Sequence, residues 1–381
     1  MKTFEIKTKI HFGDHALERL SNLPYQRVLI ITDPFILTGP LISMITEPLK
    51  KGGIAYDIFS DVVPDAPMDK IITGVKKFLE YQPEAIVAVG GGSAIDSSKS
   101  IREFALKINH YAEVGLIAIP TTSGTGSEVT SFAVVNDTKA QIKYPLVSDS
   151  LTADEAILDA ELVKSVPPAI TADTGMDVFT HALEAYVSTE HNEFSSALAE
   201  KSIEICGVFL LRAFLDGQDT HARQKMHVAS CLAGLAFNSA SLGLNHGMAH
   251  QLGAQFHIPH GRANAMLLPH IIEYNTDIHK QSRSQKDYLP AVKRYATIAH
   301  ILGLSSYNKI MSVRSLVSWT QFMLKEMDMP MKISEIGTIS IDAYMSKVET
   351  MAEAAMADAC TGTNPRTADK EAIMQMYRRL W

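Results

Sequence analysis

The chain has 381 residues, enough for two or three domains that each bury a hydrophobic core. Hydrophobic residues make up 46% of it and charged residues 20%, a composition that excludes disordered, collagen-like and coiled-coil chains. The formal net charge of −7, without a long basic run, argues against nucleic acid as a partner. No apolar stretch reaches the roughly 18 residues of a membrane span, so a membrane is not an expected partner either.

The cysteines indicate a reducing compartment. There are three of them, widely spaced and outside any Cys-x-x-Cys motif: Cys206, Cys231 and Cys360. Neither a disulfide framework nor a zinc knuckle fits this pattern, so we expect a cytoplasmic protein. From Phe4 to Phe12 apolar and polar residues alternate, which predicts a half-buried strand rather than a targeting helix.

The first half of the chain has the pattern of an α/β domain. Short aliphatic runs without polar alternation are separated by amphipathic stretches, which is typical of buried parallel strands joined by helices. The runs are Val28–Ile31, Ile54–Phe59, Ala85–Val89 and Leu116–Ile119.

The second half is predicted to be helical. After Pro167 and Pro168 the strand signals fade, and apolar residues recur at a spacing of three to four. We therefore predict an α/β domain with a parallel sheet over residues 1–168 and an all-α domain over residues 169–381. A ligand cleft is expected at the boundary, because ligands often bind between domains.

A glycine-rich turn follows the third aliphatic run. Gly90, Gly91, Gly92 and Ser93 stand between a strand and a predicted helix, where free backbone N–H groups and the helix dipole favour an anion. Ile95 occupies the place of the third glycine in the standard dinucleotide fingerprint. The turn therefore indicates a dinucleotide phosphate site of a non-standard kind.

Two further features favour a dinucleotide at the same edge of the sheet. The loop Pro120–Glu128 follows the fourth run and offers hydroxyl groups and glycines. Asp33 follows the first run, where a carboxylate accepts a ribose hydroxyl and repels a 2′-phosphate. Asp33 thus favours NAD over NADP.

The helical half concentrates residues of the metal-ligand type. Asp177 and His181 are four apart and project from one helical face, and His246 and His250 repeat that spacing. His260 follows on a predicted loop. Three imidazoles and a carboxylate suit Fe(II) or Zn(II) rather than the oxygen shells of Mg or Ca, although spacing does not choose between His246 and His250.

Four motifs taken together resemble the iron-containing (group III) alcohol dehydrogenases, and the resemblance runs over essentially the whole chain. They are Gly90–Asp96, Pro120–Thr130, Gly175–Tyr186 and His246–Pro269. The resemblance implies a dehydroquinate-synthase-like fold, with an N-terminal NAD-binding domain and a helical domain that holds the metal. It implies four metal ligands, with Fe(II) favoured over Zn, and one further histidine near the nicotinamide: Asp177, His181, His246 and His260 for the metal, and His250 as the further histidine.

The same resemblance implies a set of NAD contacts. They are Asp33, Gly91, Gly92, Ser93, Asp96, Thr121, Thr122, Thr125, Lys143 and Leu162. The chain departs from the family's usual pattern at Pro64–Pro67, which bears on the contact expected near the adenosine ribose.

The expected activity is NAD-dependent interconversion of short primary alcohols and aldehydes, such as propionaldehyde or acetaldehyde, by hydride transfer. A bound metal cation favours the deprotonated form of the alcohol. His250 is the candidate residue for moving the hydroxyl proton. Alternatives are a glycerol or polyol dehydrogenase, a dehydroquinate-synthase-like lyase, and a structural or encapsulated component without activity. The lyase would need several basic residues near the metal motifs, and Asp177–Tyr186 contains none.

The resemblance also bears on partners. Family members commonly self-associate, so a homo-oligomer is expected. The runs Ile142–Leu146, Leu232–Phe237 and Thr363–Arg366 are similar to the branch of the family associated with propanediol-utilisation microcompartments. Microcompartment components are therefore further expected partners, and the inside of a bacterial microcompartment is an expected location.

Overall fold

The computed structural model describes residues 3–109, 113–137, 142–280 and 289–381. The chain forms two compact units, Met1–Ser165 and Val166–Trp381. The boundary predicted after residue 168 falls in the first turn of the helix that opens the second unit.

The first unit is built on a parallel sheet of six strands. In chain order the strands of this unit are β1 (Lys9–Phe12), β2 (Arg27–Ile31), β3 (Ala55–Phe59), β4 (Ala85–Gly90), β5 (Gly115–Pro120), β6 (Phe132–Asp137), β7 (Ile142–Val147) and β8 (Glu155–Leu158). The sheet order is β1-β8-β5-β4-β2-β3 with every pairing parallel, while β6 and β7 form a separate antiparallel hairpin. The predicted α/β domain with a parallel sheet is confirmed.

Helices pack against the sheet, and the first of them has a side-chain cap at its start. They are α1 (Pro34–Thr38), α2 (Leu41–Lys51), α3 (Met68–Tyr81) and α4 (Gly92–Asn109). Asp33 caps α1 by accepting a hydrogen bond from Ile36 N at 2.9 Å. Alternate residues of the central strands are buried on opposite faces: Leu29 and Ile86 pack in one core, and Val28 and Val87 pack in the other.

The predicted N-terminal strand is shorter than its pattern. Alternation runs from Phe4 to Phe12, but the strand forms only over Lys9–Phe12. Its neighbour β8 has four residues, which pair with Lys9 to Phe12 one for one, so the ladder ends where the partner ends. Alternation of apolar and polar residues predicts which side chains are buried. A strand forms only where a neighbouring strand is present to pair with it.

The second unit consists of helices in the part that the structure describes. They are α5 (Pro168–Val187), α6 (Glu193–Leu215), α7 (Thr220–Ala240), α8 (Leu244–Phe256), α9 (His260–Thr276), α10 (Pro290–Ile301), α11 (Lys309–Glu326), α12 (Ile341–Ala357) and α13 (Lys370–Arg379). The prediction of a helical second half is confirmed. Among the described helices, none taken singly is long and apolar enough to cross a membrane; the pair α7 and α8, bent by 108°, passes that test only when joined.

The buried side chain of Lys99 connects helix α4 to the start of the β6–β7 hairpin. Lys99 on α4 is fully buried, and its Nζ donates to Thr130 O and Phe132 O, each at 2.7 Å. Burial lowers the pKa of Lys99 to about 8, and the nearby carboxylates Asp96 and Glu128 act in the opposite direction. The fold therefore uses Lys99 to close the start of β6 onto α4.

We expect Lys99→Met to lower the free energy of unfolding by about 2–4 kcal/mol, because two buried carbonyl oxygens lose a charged donor. The control is Lys107→Met on the same helix, where the side chain is 70% exposed, with an expected change within about 0.5 kcal/mol. Urea unfolding followed by circular dichroism measures both. Equal unfolding curves for the two variants would contradict the anchoring role.

Candidate metal centre and cofactor loops

Helix α5 supplies two members of the predicted ligand set. It begins with Pro168 at a position that proline favours, and its inward face is buried almost from end to end. Asp177 and His181 lie one turn apart on that face, both buried, with His181 Nδ1 at 3.9 Å from Asp177 Oδ2. The spacing predicted from the sequence therefore brings the two side chains together.

Helices α8 and α9 bring two histidines to the same carboxylate. His246 Nε2 lies 3.8 Å and His260 Nε2 lies 3.6 Å from Asp177 Oδ1. The loop predicted at His260 is wrong, because His260 is the first residue of α9 and follows Pro259. A β-carbon on the next residue, Gly261, would stand 2.0 Å from Asp173 O, so glycine allows α9 to approach α5 closely.

These four side chains form one group, the Asp–His cluster: Asp177, His181, His246 and His260. Each offers one ligand atom, and all four atoms lie within 4.8 Å of one another. A cation that binds nitrogen and oxygen at about 2.1 Å fits among donors this close with small side-chain movements. Three members are buried, whereas the His260 side chain is 42% exposed.

Three of the four ligand atoms of the Asp–His cluster surround one amide nitrogen. The Asn264 Nδ2 group lies 2.8 Å from Asp177 Oδ1 and 3.1 Å from both His246 Nε2 and His260 Nε2. One amide nitrogen thus stands within hydrogen-bond distance of three acceptors from three helices. One carboxylate and three imidazoles whose ligand atoms lie within 4.8 Å of one another are a donor set that fits a divalent transition metal.

Glu184 holds His246 from the opposite side of the ring. It is buried on α5, with one oxygen bonded to His246 Nδ1 and the other accepting from Asn245 N at 2.7 Å. Burial raises the pKa of Glu184 to about 8, while hydrogen bonds from backbone N–H groups at the start of α8 oppose that shift. When Glu184 is ionised it accepts from Nδ1–H, and this tautomer of His246 leaves Nε2 unprotonated toward the cluster.

The electrostatics of the cluster favour neutral imidazole. Burial and then the neighbouring rings of His181, His260 and His250 hold the pKa of His246 well below its usual range. His181 and His246 stack with ring centroids 4.6 Å apart, and His246 and His260 are 5.2 Å apart. Rings this close repel one another when protonated, and the neutral form is the one that binds a metal.

His250 lies beside the cluster with a different partner. Its ring stacks on His260 at a centroid distance of 5.4 Å, but its Nδ1 is hydrogen-bonded to Asp358 Oδ2 at 2.8 Å. The side chain is 39% exposed. Geometry thus separates His246 from His250, a choice that spacing leaves open.

The first unit brings most of the predicted NAD contacts to one edge of its sheet. β4 and β5 are paired up to Gly90 and Pro120, so the glycine turn and the threonine loop leave the sheet side by side. A β-carbon on Gly92 would stand 2.8 Å from Thr125 Cγ2, and one on Gly91 would stand 3.4 Å from Thr122 Oγ1. Glycine is needed at Gly90, whose φ is +149°, and at Gly92, where a side chain would collide with the loop.

Three more predicted NAD residues lie close to the glycine turn. Asp33 lies near Gly90, Thr121 N donates to Gly90 O at 3.0 Å, and Ser93 Oγ accepts from Asp65 N at 3.1 Å. Asp65 has a φ of 67° and belongs to the segment that departs from the family's pattern.

The other three predicted NAD residues do not lie in the two loops at that edge of the sheet. Asp96 is directed inward, where its carboxylate accepts from Ser127 Oγ at 2.6 Å and from Val134 N at 3.0 Å. Leu162 is wholly buried in the core of the first unit. Lys143 lies on β7, but its side chain is outside the described part of the structure.

Sequence reasoning missed three polar residues around the cluster. Glu184 follows His181 by three positions on the same helical face, so its spacing was a usable signal. Asn264 follows His260 by four, a relation hidden by the prediction of a loop at His260. Asp358 lies 108 positions from His250, and no local pattern connects them.

Comparison with known proteins agrees with this architecture. The family described as iron-containing alcohol dehydrogenase matches residues 7–160, and the C-terminal part of the Fe-containing alcohol dehydrogenase family matches residues 171–381. A 1-propanol dehydrogenase, PduQ, of Citrobacter freundii is 41% identical over 100% of both chains. An NADPH-dependent butanol dehydrogenase of Clostridium saccharobutylicum is 36% identical over 99% of this chain and 97% of its own. The solved structure of an iron-containing alcohol dehydrogenase from Thermococcus thioreducens is 31% identical, covers 99% of both chains and has a TM-score of 0.88.

The chain therefore belongs to the iron-containing alcohol dehydrogenase family, as the sequence resemblance implied. It is an oxidoreductase of the alcohol dehydrogenase type, and its similarity to a 1-propanol dehydrogenase extends over the full length of both chains. This assignment does not support the lyase and non-catalytic alternatives.

We expect Glu184→Gln to lower the affinity for Fe(II) by about 10–100-fold. A glutamine that accepts from Asn245 N with its oxygen turns its NH₂ group toward His246 Nδ1. His246 must then accept at Nδ1 and carry its proton at Nε2, which removes the lone pair that faces the cluster. Competition with a chelator under anaerobic conditions measures the change.

The control for this change is Glu193→Gln at the exposed start of α6, which should bind Fe(II) like the unmodified protein. Comparable affinity in Glu184→Gln and Glu193→Gln would show that Glu184 does not fix the state of His246.

Proposed function

We propose that this protein is an NAD-dependent alcohol dehydrogenase that interconverts short primary alcohols and aldehydes, with 1-propanol and propionaldehyde as its substrates. Asp177, His181, His246 and His260 bind the iron, and the glycine turn with the threonine loop binds NAD. The observation that carries the proposal is the convergence of three imidazoles and one carboxylate within 4.8 Å. A 1-propanol dehydrogenase that is similar to this chain over its full length supports the choice of 1-propanol and propionaldehyde as substrates.

The cofactors and the protein residues have different roles in the reaction. When bound, Fe(II) supplies Lewis acidity that favours the deprotonated form of an alcohol, and NAD supplies the hydride acceptor. The Asp–His cluster holds its donor atoms in a fixed arrangement, because Glu184 orients His246 and Asn264 bridges three of the acceptors. Burial of Asp177, His181 and His246 keeps bulk water from that side of the site.

His250 moves the proton of the substrate hydroxyl. Asp358 fixes the ring by accepting from Nδ1, so Nε2 is the nitrogen that exchanges a proton. The partly exposed side chain gives that proton a route to solvent. His250 need not bind the iron for this role, because a general acid or base acts through hydrogen bonds to the reacting group.

Asp33 favours NAD over NADP. It lies at the end of β2 next to the glycine turn, where a carboxylate accepts a ribose hydroxyl and repels a 2′-phosphate. A related butanol dehydrogenase is NADPH-dependent, so cofactor choice differs among similar chains.

The cellular setting is part of the proposal. The similarity to the PduQ 1-propanol dehydrogenases of two organisms supports a location in the cytoplasm, inside a propanediol-utilisation microcompartment. The partners proposed there are the components of the microcompartment. Self-association into a homo-oligomer stays a prediction. Sedimentation of the purified protein tests the oligomer, and fluorescence microscopy of a tagged chain in the native host tests the location.

The activity test is oxidation of NADH by propionaldehyde after anaerobic loading with Fe(II). We expect His260→Ala to lose iron and turnover together, because one of four donors is removed. His250→Ala should keep its iron but lose about 10²–10⁴-fold in kcat, the usual contribution of a general acid or base. Metal analysis of each variant beside the kinetic assay separates the two effects.

Either of two results would overturn these roles. Full turnover in iron-free His260→Ala would exclude the Asp–His cluster as the working metal site. Unchanged kcat in His250→Ala would exclude this histidine as the proton carrier.

We expect Asp33→Ser to raise the kcat/KM for NADPH relative to NADH by at least about tenfold, because the charge that repels a 2′-phosphate is removed. Serine keeps the cap of α1 that Asp33 supplies, so the fold is retained. Asp33→Ala, which loses both the charge and the cap, separates specificity from stability. An unchanged preference in both variants would show that another residue selects the cofactor.

A further inference from the structure

A second group of ligand atoms lies next to the Asp–His cluster. It consists of His250, Asp358 and Cys360, and we call it the His–Asp–Cys cluster. Each residue offers one ligand atom, and the three atoms lie within 4.8 Å of one another. No cysteine motif marks this cluster in the sequence, because His250 lies on α8, far along the chain from Asp358 and Cys360.

The local backbone holds two of these residues in place. Asp358 follows α12 with φ −66° and ψ 135°, and its Oδ1 accepts from Cys360 N at 2.9 Å, which caps the short helix Ala359–Thr363. The other carboxylate oxygen, Oδ2, accepts from His250 Nδ1 on α8 at 2.8 Å. One carboxylate therefore joins the tail of the chain to the helix that carries His250.

The same carboxylate also attracts the thiol. Burial and then the charge of Asp358 raise the pKa of Cys360, with a side-chain hydrogen bond between the two acting in the same direction. The imidazole of His250 and the thiol of Cys360 thus both lie beside the carboxylate of Asp358. A divalent cation bound among the three offsets the cost of forming a buried thiolate, because it deprotonates a thiol on coordination.

We infer that the His–Asp–Cys cluster is a second divalent-cation site, which takes Zn²⁺. On binding, Zn²⁺ forms bonds with His250 Nδ1, Asp358 Oδ2 and Cys360 Sγ. The thiol proton leaves to solvent, and the imidazole gains a proton at Nε2 as it gives up the one at Nδ1, so the ring stays neutral. The carboxylate and the thiolate together neutralise the charge of the ion. Three protein ligands leave the fourth position of a tetrahedral zinc for water.

The donor atoms distinguish this site from the Asp–His cluster. The Asp–His cluster has nitrogen and oxygen donors without sulfur, whereas a thiolate donor favours zinc or cadmium over Fe(II). Solvent reaches the cluster at His250, whose side chain is 39% exposed. The two clusters therefore differ in their donor chemistry.

Occupation of the site should inhibit the enzyme. Zn²⁺ on His250 Nδ1 replaces the hydrogen bond to Asp358, and it places a second cation beside the ring that moves the substrate proton. This consequence rests on the role of His250 under the proposed function, whereas metal binding at the cluster does not. The two parts are therefore measured separately.

The binding test titrates the iron-loaded protein with Cd²⁺ under anaerobic conditions and follows the ultraviolet thiolate-to-cadmium charge-transfer band. We expect one such band per chain at saturation. The band cannot arise from Cd²⁺ in the Asp–His cluster, which contains no sulfur. It should vanish in Cys360→Ser, persist in Cys231→Ala as a matched control for a buried cysteine, and need at least about tenfold more Cd²⁺ in Asp358→Asn.

The activity test adds Zn²⁺ to the iron-loaded protein during NADH oxidation by propionaldehyde. The unmodified protein should lose activity with one Zn²⁺ per chain, while Cys360→Ser should keep its activity until the Zn²⁺ concentration is at least about tenfold higher. Iron measured after the titration shows whether Zn²⁺ has displaced it from the Asp–His cluster.

Each outcome decides one part. Absence of a thiolate band in the unmodified protein, or a band that survives in Cys360→Ser, overturns the second site. A band with unchanged activity overturns the inhibitory link to His250 and leaves the site standing. Absence of dehydrogenase activity before any addition contradicts the proposed function alone, because the spectrum does not depend on turnover.

Discussion

The constraint on which the second unit depends is the burial of a carboxylate among three imidazoles. Asp177 is 3% exposed, and a buried charge is costly unless donors or a cation surround it. The chain meets this requirement with side chains from three helices, α5, α8 and α9, each of which is buried along the face that carries its ligand. A site assembled in this way is only as precise as the packing of those helices.

Residues outside the Asp–His cluster set much of that precision. Glu184 is hydrogen-bonded to His246, Asn264 contacts three ligand atoms of the cluster, and Asp358 is hydrogen-bonded to His250. The three come from α5, α9 and the turn after α12, so the polar network links separate elements. Under the proposed function, this network tunes the metal ligands, and their loss of orientation should weaken activity.

Much of the architecture could be predicted from the sequence because its signals are local. Aliphatic runs gave the parallel strands, and the helical spacing gave Asp177 with His181. Tertiary contacts decided the rest: β1 is limited by its neighbour β8, and His260 opens a helix because α9 packs closely on α5. The choice between His246 and His250 also needed the fold, since the two share a helix and differ in the partners that other elements present.

The beginning of α8 couples the metal site to the end of the chain. Gly243 has no side chain with which to cap the helix, and Leu244 N instead donates to Asn364 Oδ1 at 3.2 Å, while Glu184 takes the next amide. Asn364 and the start of the helix that carries His246 therefore stabilise each other. Under the proposed binding of iron by His246, a bound ion should protect the segment around Asn364 from proteolysis.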